Sequence, residues 1–233
     1  MKKQPKYLFY GLLMISIMLL SACGDARQES GAASANQTGP PEAAGDSDPS
    51  EPTYKVVIDP GHGGDDPGAT GASGRYEKDF TLSISKKVVR LLKQIPQVQV
   101  YMTREDDRTL STVDRDRTNY ANGLNADLFI SLHGNTYESS SVSGIETFYY
   151  HDDSLPFAES IHAKLVEASG FNDRGIKHED YYVLKETNMP AILLELGYLT
   201  NPEEEAVMLS DEFQNAIASS IDEGVKQFLQ IQA

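Results

Sequence analysis

Three short apolar runs in this chain end in, or run straight into, chemically active side chains. Val56-Val57-Ile58 leads to Asp59 and the turn Gly61-His62-Gly63-Gly64. Leu128–His133 is apolar apart from Ser131 and terminates in an imidazole, and Ala191–Leu196 carries one carboxylate, Glu195. Continuous apolar runs of this length suit strands buried on both faces, as in parallel sheets. In an open α/β sheet the groups that do chemistry gather beyond the carboxyl ends of such strands. The pattern therefore brings His62, His133 and Glu195 to one rim although they are far apart in sequence.

The rest of the chain supports that architecture. Tyr54–Asp59, Val98–Thr103, Leu128–His133, Ile145–Tyr150 and Ala191–Leu196 read as strands, with the alternating run Ile145–Tyr150 nearer an edge. Between them lie amphipathic stretches. Asp79–Ile95 puts Phe80, Ile84, Val88, Leu91, Leu92 and Ile95 on one helical face, and Asp114–Leu124 reads as a second helix. Phe157–Ser169 turns Phe157, Ile161, Leu165 and Ala168 inward, and Asp211–Leu229 repeats Phe213, Ile217, Ile221, Val225 and Phe228 at helical spacing. Alternating strands and helices predict an α/β fold with a mixed, mostly parallel central sheet and helices on both faces. Residues 54–233 number 180, which suits a single core. No internal repeat appears.

The beginning of the chain reads differently. Lys2, Lys3 and Lys6 precede an apolar stretch from Tyr7 to Leu20, too short for a comfortable membrane span, so residues 1–22 read as a secretory signal. It ends in Leu20-Ser21-Ala22-Cys23, which resembles a bacterial lipoprotein signal. Cys23 is the single cysteine, so it closes no intramolecular disulfide, and acylation gives an exported lone thiol a purpose. Residues 24–53 are rich in Gly, Ala, Ser, Pro and acids and cannot bury enough apolar surface to order themselves. Together with the lipidated Cys23 they form a disordered tether spanning about 27–33 Å on average. The expected location is the outer face of a bacterial cytoplasmic membrane or elsewhere in the envelope.

Charge narrows the partners. Three of the 20 Lys and Arg residues precede Cys23, so 17 basic residues face 35 acidic ones thereafter, a net charge of −18. No basic stripe is present, which argues against nucleic acid as a partner and against attraction to anionic lipid. Membrane association falls to the anchor, where stable attachment generally needs more than one acyl chain.

Each candidate site residue has an ordinary explanation when taken alone. His62 sits in a flexible turn, and a phosphate loop is excluded because no Gly-Lys-Ser/Thr ending follows. His133 suits a strand end, and Glu77 favours a helix N-terminus. Glu195 is harder to dismiss, since a carboxylate among Ala191–Leu196 is costly unless paired or bound to metal. Taken together, two imidazoles and a carboxylate make a three-ligand zinc set with an open position, and the spare carboxylate can serve as base. Asp59 and Asn135 flank these residues and are expected to orient them or the substrate from behind. His151, His162 and His178 lie in polar contexts and read as surface residues.

Six ordered segments resemble the zinc-dependent N-acetylmuramoyl-L-alanine amidase family: Val56–Gly68 (VVIDPGHGGDDPG), Glu77-Lys78-Asp79, Arg117–Asn122 (RTNYAN), Ala126–Asn135 (ADLFISLHGN), Arg174–Lys177 (RGIK) and Met189–Asn201 (MPAILLELGYLTN). The resemblance runs across essentially all of residues 54–230. It implies one Zn2+ held by His62, Glu77 and His133, with Glu195 as the catalytic carboxylate, in a domain that hydrolyses peptidoglycan. Gly134 departs from the family's more usual alanine or other small residue. Some members carry a helical insert that plugs the zinc site; the short stretch between Tyr150 and Arg174 implies none here. Two other classes use similar residues: a zinc carboxypeptidase or aminopeptidase, and a non-catalytic lipoprotein that binds zinc or peptidoglycan. Glu195 argues against the latter, because binding alone needs no base.

Overall fold

The computed structural model describes residues 53–232. The signal segment, Cys23 and the tether through residue 52 lie outside these residues. One sheet carries six strands: β1 (Tyr54–Pro60), β2 (Val98–Met102), β3 (Leu128–Asn135), β4 (Ile145–Tyr149), β5 (Asp173–His178) and β6 (Ala191–Tyr198), in the order β2-β1-β3-β6-β4-β5. β2, β1, β3 and β6 run parallel; β4 is antiparallel to β6, and β5 is parallel to β4. The sheet is therefore mixed and mostly parallel, as the apolar runs predict. The helices are α1 (Glu77–Leu92), α2 (Asp116–Gly123), α3 (Leu155–Ser169), α4 (Tyr182–Lys185), α5 (Pro202–Met208) and α6 (Asp211–Phe228).

Alternation along the strands sorts the core into two layers. Val56, Ile58, Ile130, Leu132, Ile192 and Leu194 pack with Phe80 and Ile84 of α1, Phe157 and Ile161 of α3, and Ile217 and Ile221 of α6. Val57, Phe129, Phe148 and Leu193 point the other way, toward Ala121 of α2 and Val183 and Leu184 of α4. Both faces are covered, but unequally: three long helices shield one side and two short ones the other. Continuing the same alternation, Asp59, Ser131, His133, Glu195 and Glu146 project onto the thinly covered face. The site therefore forms where strand geometry leaves room for it.

Several elements depart from the sequence expectations. β3 and β6 run past His133 and Leu196, with a register shift between His133 and Asn135. β4 lies inside the sheet, because β5, a polar strand with no apolar period, pairs outside it. α5 is short; Asn201 caps it by accepting from the Glu203 and Glu204 amides, and Pro202 opens its first turn. Ala168 is exposed, and Ala158 takes an inward place on α3 instead. His162 is buried rather than on the surface: Nδ1 meets Thr147 Oγ1 at 2.9 Å and Nε2 meets Asp173 Oδ1 at 2.9 Å. Those two bonds tie α3 to β4 and β5, which explains why a polar ring is tolerated there. Among the described residues no helix is long and apolar enough to cross a membrane.

α3 and α6 approach closely at Gly224, where an added Cβ would clash with Ile161 Cγ1 and lie 3.0 Å from the Ser160 carbonyl oxygen. In an isolated helix Gly224→Ala would gain about 1 kcal/mol of propensity. Here the clash outweighs that gain, and we expect a net loss of about 1–2 kcal/mol, within the usual cost of overpacking. Urea unfolding of the variant measures it; a stability gain would show that the two helices separate freely.

Candidate metal centre

β1 ends in a turn whose shape is imposed from behind. His62 has φ 59°, in the left-handed region, a conformation that costs a non-glycine residue on the order of 1–3 kcal/mol and persists only where surroundings hold it. Two arginines supply the hold. Arg117 Nη1 donates to the Pro60 carbonyl at 2.8 Å and Nη2 to the His62 carbonyl at 2.7 Å. Arg104, fully buried, donates through Nε to the Pro60 carbonyl at 3.1 Å and through Nη2 to the Gly61 carbonyl at 2.8 Å and the Lys78 carbonyl at 2.9 Å. Asp59 neutralises Arg117 and accepts from Thr103 and Ser131. Burial pushes the Asp59 carboxyl up, but the Arg117 charge and the three donors prevail and hold it below the usual carboxylate range. Asp59 thus touches neither histidine ring; it acts on His62 through Arg117.

The turn delivers His62 to Glu77 at the start of α1 and to His133 on β3. His62 Nε2 lies 3.1 Å and His133 Nδ1 2.9 Å from Glu77 Oε1. The two rings meet edge-on with centroids 5.0 Å apart. Glu77 is held by the Gly134 amide on Oε1 at 3.1 Å and the Ala69 amide on Oε2 at 2.8 Å. Burial raises the Glu77 carboxyl, yet hydrogen bonds from His133 and His62 and their charges bring it far below its ordinary value. Burial lowers His62, and Glu77 and Asp66 together raise it above its ordinary value. The atoms that meet around a proton here are the ones a divalent cation would take. One donor atom from each of the three residues lies within 4.8 Å of the others, and the set suits metals that accept both nitrogen and oxygen ligands.

Asp66 completes the histidine geometry. Its Oδ2 lies 2.8 Å from His62 Nδ1, which leaves Nε2 directed at Glu77, the arrangement by which a carboxylate fixes a ligand ring. The sequence reading passed over Asp66; its signal was its place four residues after His62 in the same turn. Glycine is required at Gly68, with φ +66° and a virtual Cβ 2.6 Å from both Glu77 Oε2 and His62 Cδ2. Gly134 is accommodated by Leu199, whose Cδ1 would lie 2.8 Å from an added Cβ.

A cavity of about 400 Å³ opens on this cluster, lined by His62, Glu77, His133, Asn135 and Glu195, with Tyr181, Tyr182, Val183 and Leu193 forming an apolar wall. No residue between Tyr150 and Arg174 lines it. Glu195 pairs in register with His133 on one side and Glu146 on the other. Among the described residues its Oε2 is buried with no hydrogen-bond partner. Burial and the neighbouring charges of Glu77 and Glu146 push its carboxyl well above the usual range. Asn135 donates through Nδ2 to Glu146 Oε2 at 3.0 Å and accepts from the Thr136 amide at 2.7 Å, so it supports the cavity wall and touches neither histidine in a hydrogen bond.

A spare acid beside a three-donor cluster is an arrangement that metal-dependent hydrolases use. The N-acetylmuramoyl-L-alanine amidase family profile matches residues 56–227, and the chain belongs to that family. It is 35% identical over 174 residues to a protein named as a probable cell wall amidase, LytH of Staphylococcus aureus, covering 73% of this chain and 57% of the relative. The chain thus spans little more than half the length of these curated relatives. The catalytic domain of CwlV, an N-acetylmuramoyl-L-alanine amidase from Bacillus (Paenibacillus) polymyxa var. colistinus, superposes with a TM-score of 0.75 at 42% identity, covering 77% of this chain and all of that one. An N-acetylmuramoyl-L-alanine amidase from Clostridium difficile 630 gives a TM-score of 0.74 at 38% identity over 78% of this chain and 99% of that one.

Asp59→Asn would leave the buried Arg117 cation without its countercharge. We expect a loss of about 3–5 kcal/mol near neutral pH. The wild-type carboxylate titrates below its unfolded value, so its stabilisation is present above the ordinary carboxylate pKa and disappears as pH falls through the lower native one. The gap between variant and wild type should therefore narrow in acid. Urea unfolding near pH 7 and near pH 3 checks both parts; a gap that stays constant would remove Asp59 from this role.

Proposed function

We propose that this chain is a peptidoglycan hydrolase that cleaves the amide between N-acetylmuramic acid and the L-alanine of the stem peptide, using one zinc ion. The observation that carries the reading is the convergence of His62, Glu77 and His133 beside Glu195, on the open face of an amidase-family fold. His62 Nε2, His133 Nδ1 and a Glu77 carboxylate oxygen would hold the ion. When bound, zinc would supply Lewis acidity, lowering the pKa of water toward ~7.

The protein's own residues do the rest. Asp66 keeps the His62 ring in the tautomer that offers Nε2. The apolar wall of Tyr181, Val183 and Leu193 excludes bulk water from one side of the cavity. Glu195 takes a proton from the attacking water and delivers one to the departing alanine nitrogen, a contribution of about 10²–10⁴-fold. Water's oxygen bonds to the lactyl carbonyl carbon, the carbon–nitrogen bond breaks, and the products are a carboxylate and a free amine. No acyl-enzyme is needed. The raised proton affinity of Glu195 suits a group that must hold a proton and pass it on.

The signal and Cys23 support an exported protein held to the envelope by lipid, with the tether keeping the hydrolase close to its polymeric substrate. Cys23→Ala should move the protein out of the membrane fraction, and undisturbed fractionation in that variant would end the lipoprotein reading.

Glu195→Gln and His133→Ala should fail in different ways. The first should keep a metal-to-protein ratio close to that of the wild type and lose about 10²–10⁴-fold in peptidoglycan hydrolysis. The second should lose metal as well as turnover. Elemental analysis beside mass spectrometry of released stem peptides separates them. Near-normal hydrolysis by Glu195→Gln would reject its role as proton carrier, and unchanged metal content in His133→Ala would remove it from the ligand set.

A further inference from the structure

The row of side chains that begins at His133 does not stop at Glu195. Glu195 pairs in register with Glu146 of β4, and Glu146 is the focus of a compact ionic cluster. Its Oε1 accepts from Arg174 Nε at 2.6 Å, Lys177 Nζ at 2.9 Å and the Tyr198 hydroxyl at 3.2 Å. Its Oε2 accepts from Asn135, a cavity-lining residue. Glu146 is buried, whereas the Arg174 and Lys177 side chains are 38% and 41% exposed. One carboxylate is met by two cations. Among the described residues neither cation forms a second ion pair; Arg174 also lies over the Tyr198 ring at 5.4 Å and its charge reaches the Glu204 carboxylate, and Lys177 lies over the Phe148 ring at 5.8 Å. Both cations keep their side chains partly open to solvent in a chain of net charge −15.

We infer that Arg174 and Lys177 form a carboxylate-binding subsite for the stem peptide of the substrate. This rests on the amidase reading given above. Glu146 fixes both cations through one oxygen, and it engages Arg174 at Nε rather than at the Nη atoms. A guanidinium edge is the group that binds carboxylates most specifically. The distances agree. Neighbouring strands are about 4.8 Å apart, so β5 lies about 10 Å from Glu195. Two extended residues span ~7 Å, and the Arg174 and Lys177 side chains cover the rest. The stem leaves the scissile amide through L-alanine, and the next residue of a peptidoglycan stem is a glutamate that carries a carboxylate unless it is amidated. Asn135 connects this subsite to the cavity wall, so an anchored stem would hold the scissile amide over the metal cluster.

The test compares uncrosslinked peptidoglycan strands whose second stem residue bears either a free carboxylate or its amide. The full-length, zinc-loaded protein should release stems from the acid form with kcat/KM about tenfold above the amide form, the scale of one partly screened charge-assisted hydrogen bond. The preference should reside in KM and shrink with added salt, because the subsite is open to solvent. In the Arg174→Gln, Lys177→Gln double variant the ratio should fall close to one, and Lys177→Gln alone should give an intermediate ratio. A ratio remains readable even if the double variant folds less well. Equal rates on both forms by the wild type, or a preference that survives in both variants, would overturn the subsite while leaving the amidase reading intact. Hydrolysis of neither form would overturn the amidase reading and this inference with it.

Discussion

Two guanidiniums that donate to backbone carbonyls, Arg104 and Arg117, keep the turn after β1 in the shape on which the centre depends. The turn concentrates the carbonyls of Pro60, Gly61 and His62 in one place, where they would be costly to bury unpaired. Between them the arginines satisfy all three, and in doing so they retain His62 in a left-handed backbone conformation that a β-carbon disfavours. Arg117 is balanced directly by Asp59, whereas Arg104 is met by carbonyl dipoles and the Thr81 hydroxyl. Burial and the nearby Arg117 charge lower the Arg104 pKa, a sign of how much the carbonyls must compensate. A histidine on so strained a turn is well placed because its support has little freedom to relax.

The sheet then acts as a ruler. Because successive residues alternate across a strand, one choice of register puts Asp59, Ser131, His133, Glu195 and Glu146 on a single face. That face is covered by the short helices α2 and α4, so its C-terminal rim remains accessible while the opposite face is sealed by α1, α3 and α6. Rigid strands hold functional groups more exactly than loops do, which suits chemistry that depends on short distances. His62 and Asp66, the two contributors from a turn, are the ones that need extra clamps.

Electrostatics follows from this crowding. Glu77, Asp66 and Glu195 line one cavity and Glu146 pairs beside Glu195, and the cost of gathering them is met locally: Glu77 by two imidazoles, Asp66 by one, Glu146 by Arg174 and Lys177. Among the described residues Glu195 has no such partner, and burial together with the charges of Glu77 and Glu146 makes it keep its proton more readily. A buried acid atom without a hydrogen-bond partner is destabilising, and groups of this kind gather at functional sites.

Much of this was legible in the order of residues. Apolar runs at Val56, Leu128 and Ala191 located the inner strands, the spacing of Phe80 to Leu92 and Phe213 to Val225 located two helices, and the polar residues ending those runs pointed to His62, His133 and Glu195. These signals are local, because burial on both faces or on one helical stripe writes itself into composition and period. β5, α5, the buried His162, the Asp66 contact and the Glu146 cluster were not legible. β5, the buried His162 and the Glu146 cluster are made by polar atoms that meet across about ten to fifty residues, whereas the α5 cap and the Asp66 contact are local; a polar side chain that will be buried by a distant partner looks, in sequence, like one that faces water. The chain alone determined where strands run and which groups end them; only the tertiary structure decided which carbonyls, carboxylates and cations would meet, because hydrogen bonds between distant segments leave no period to read.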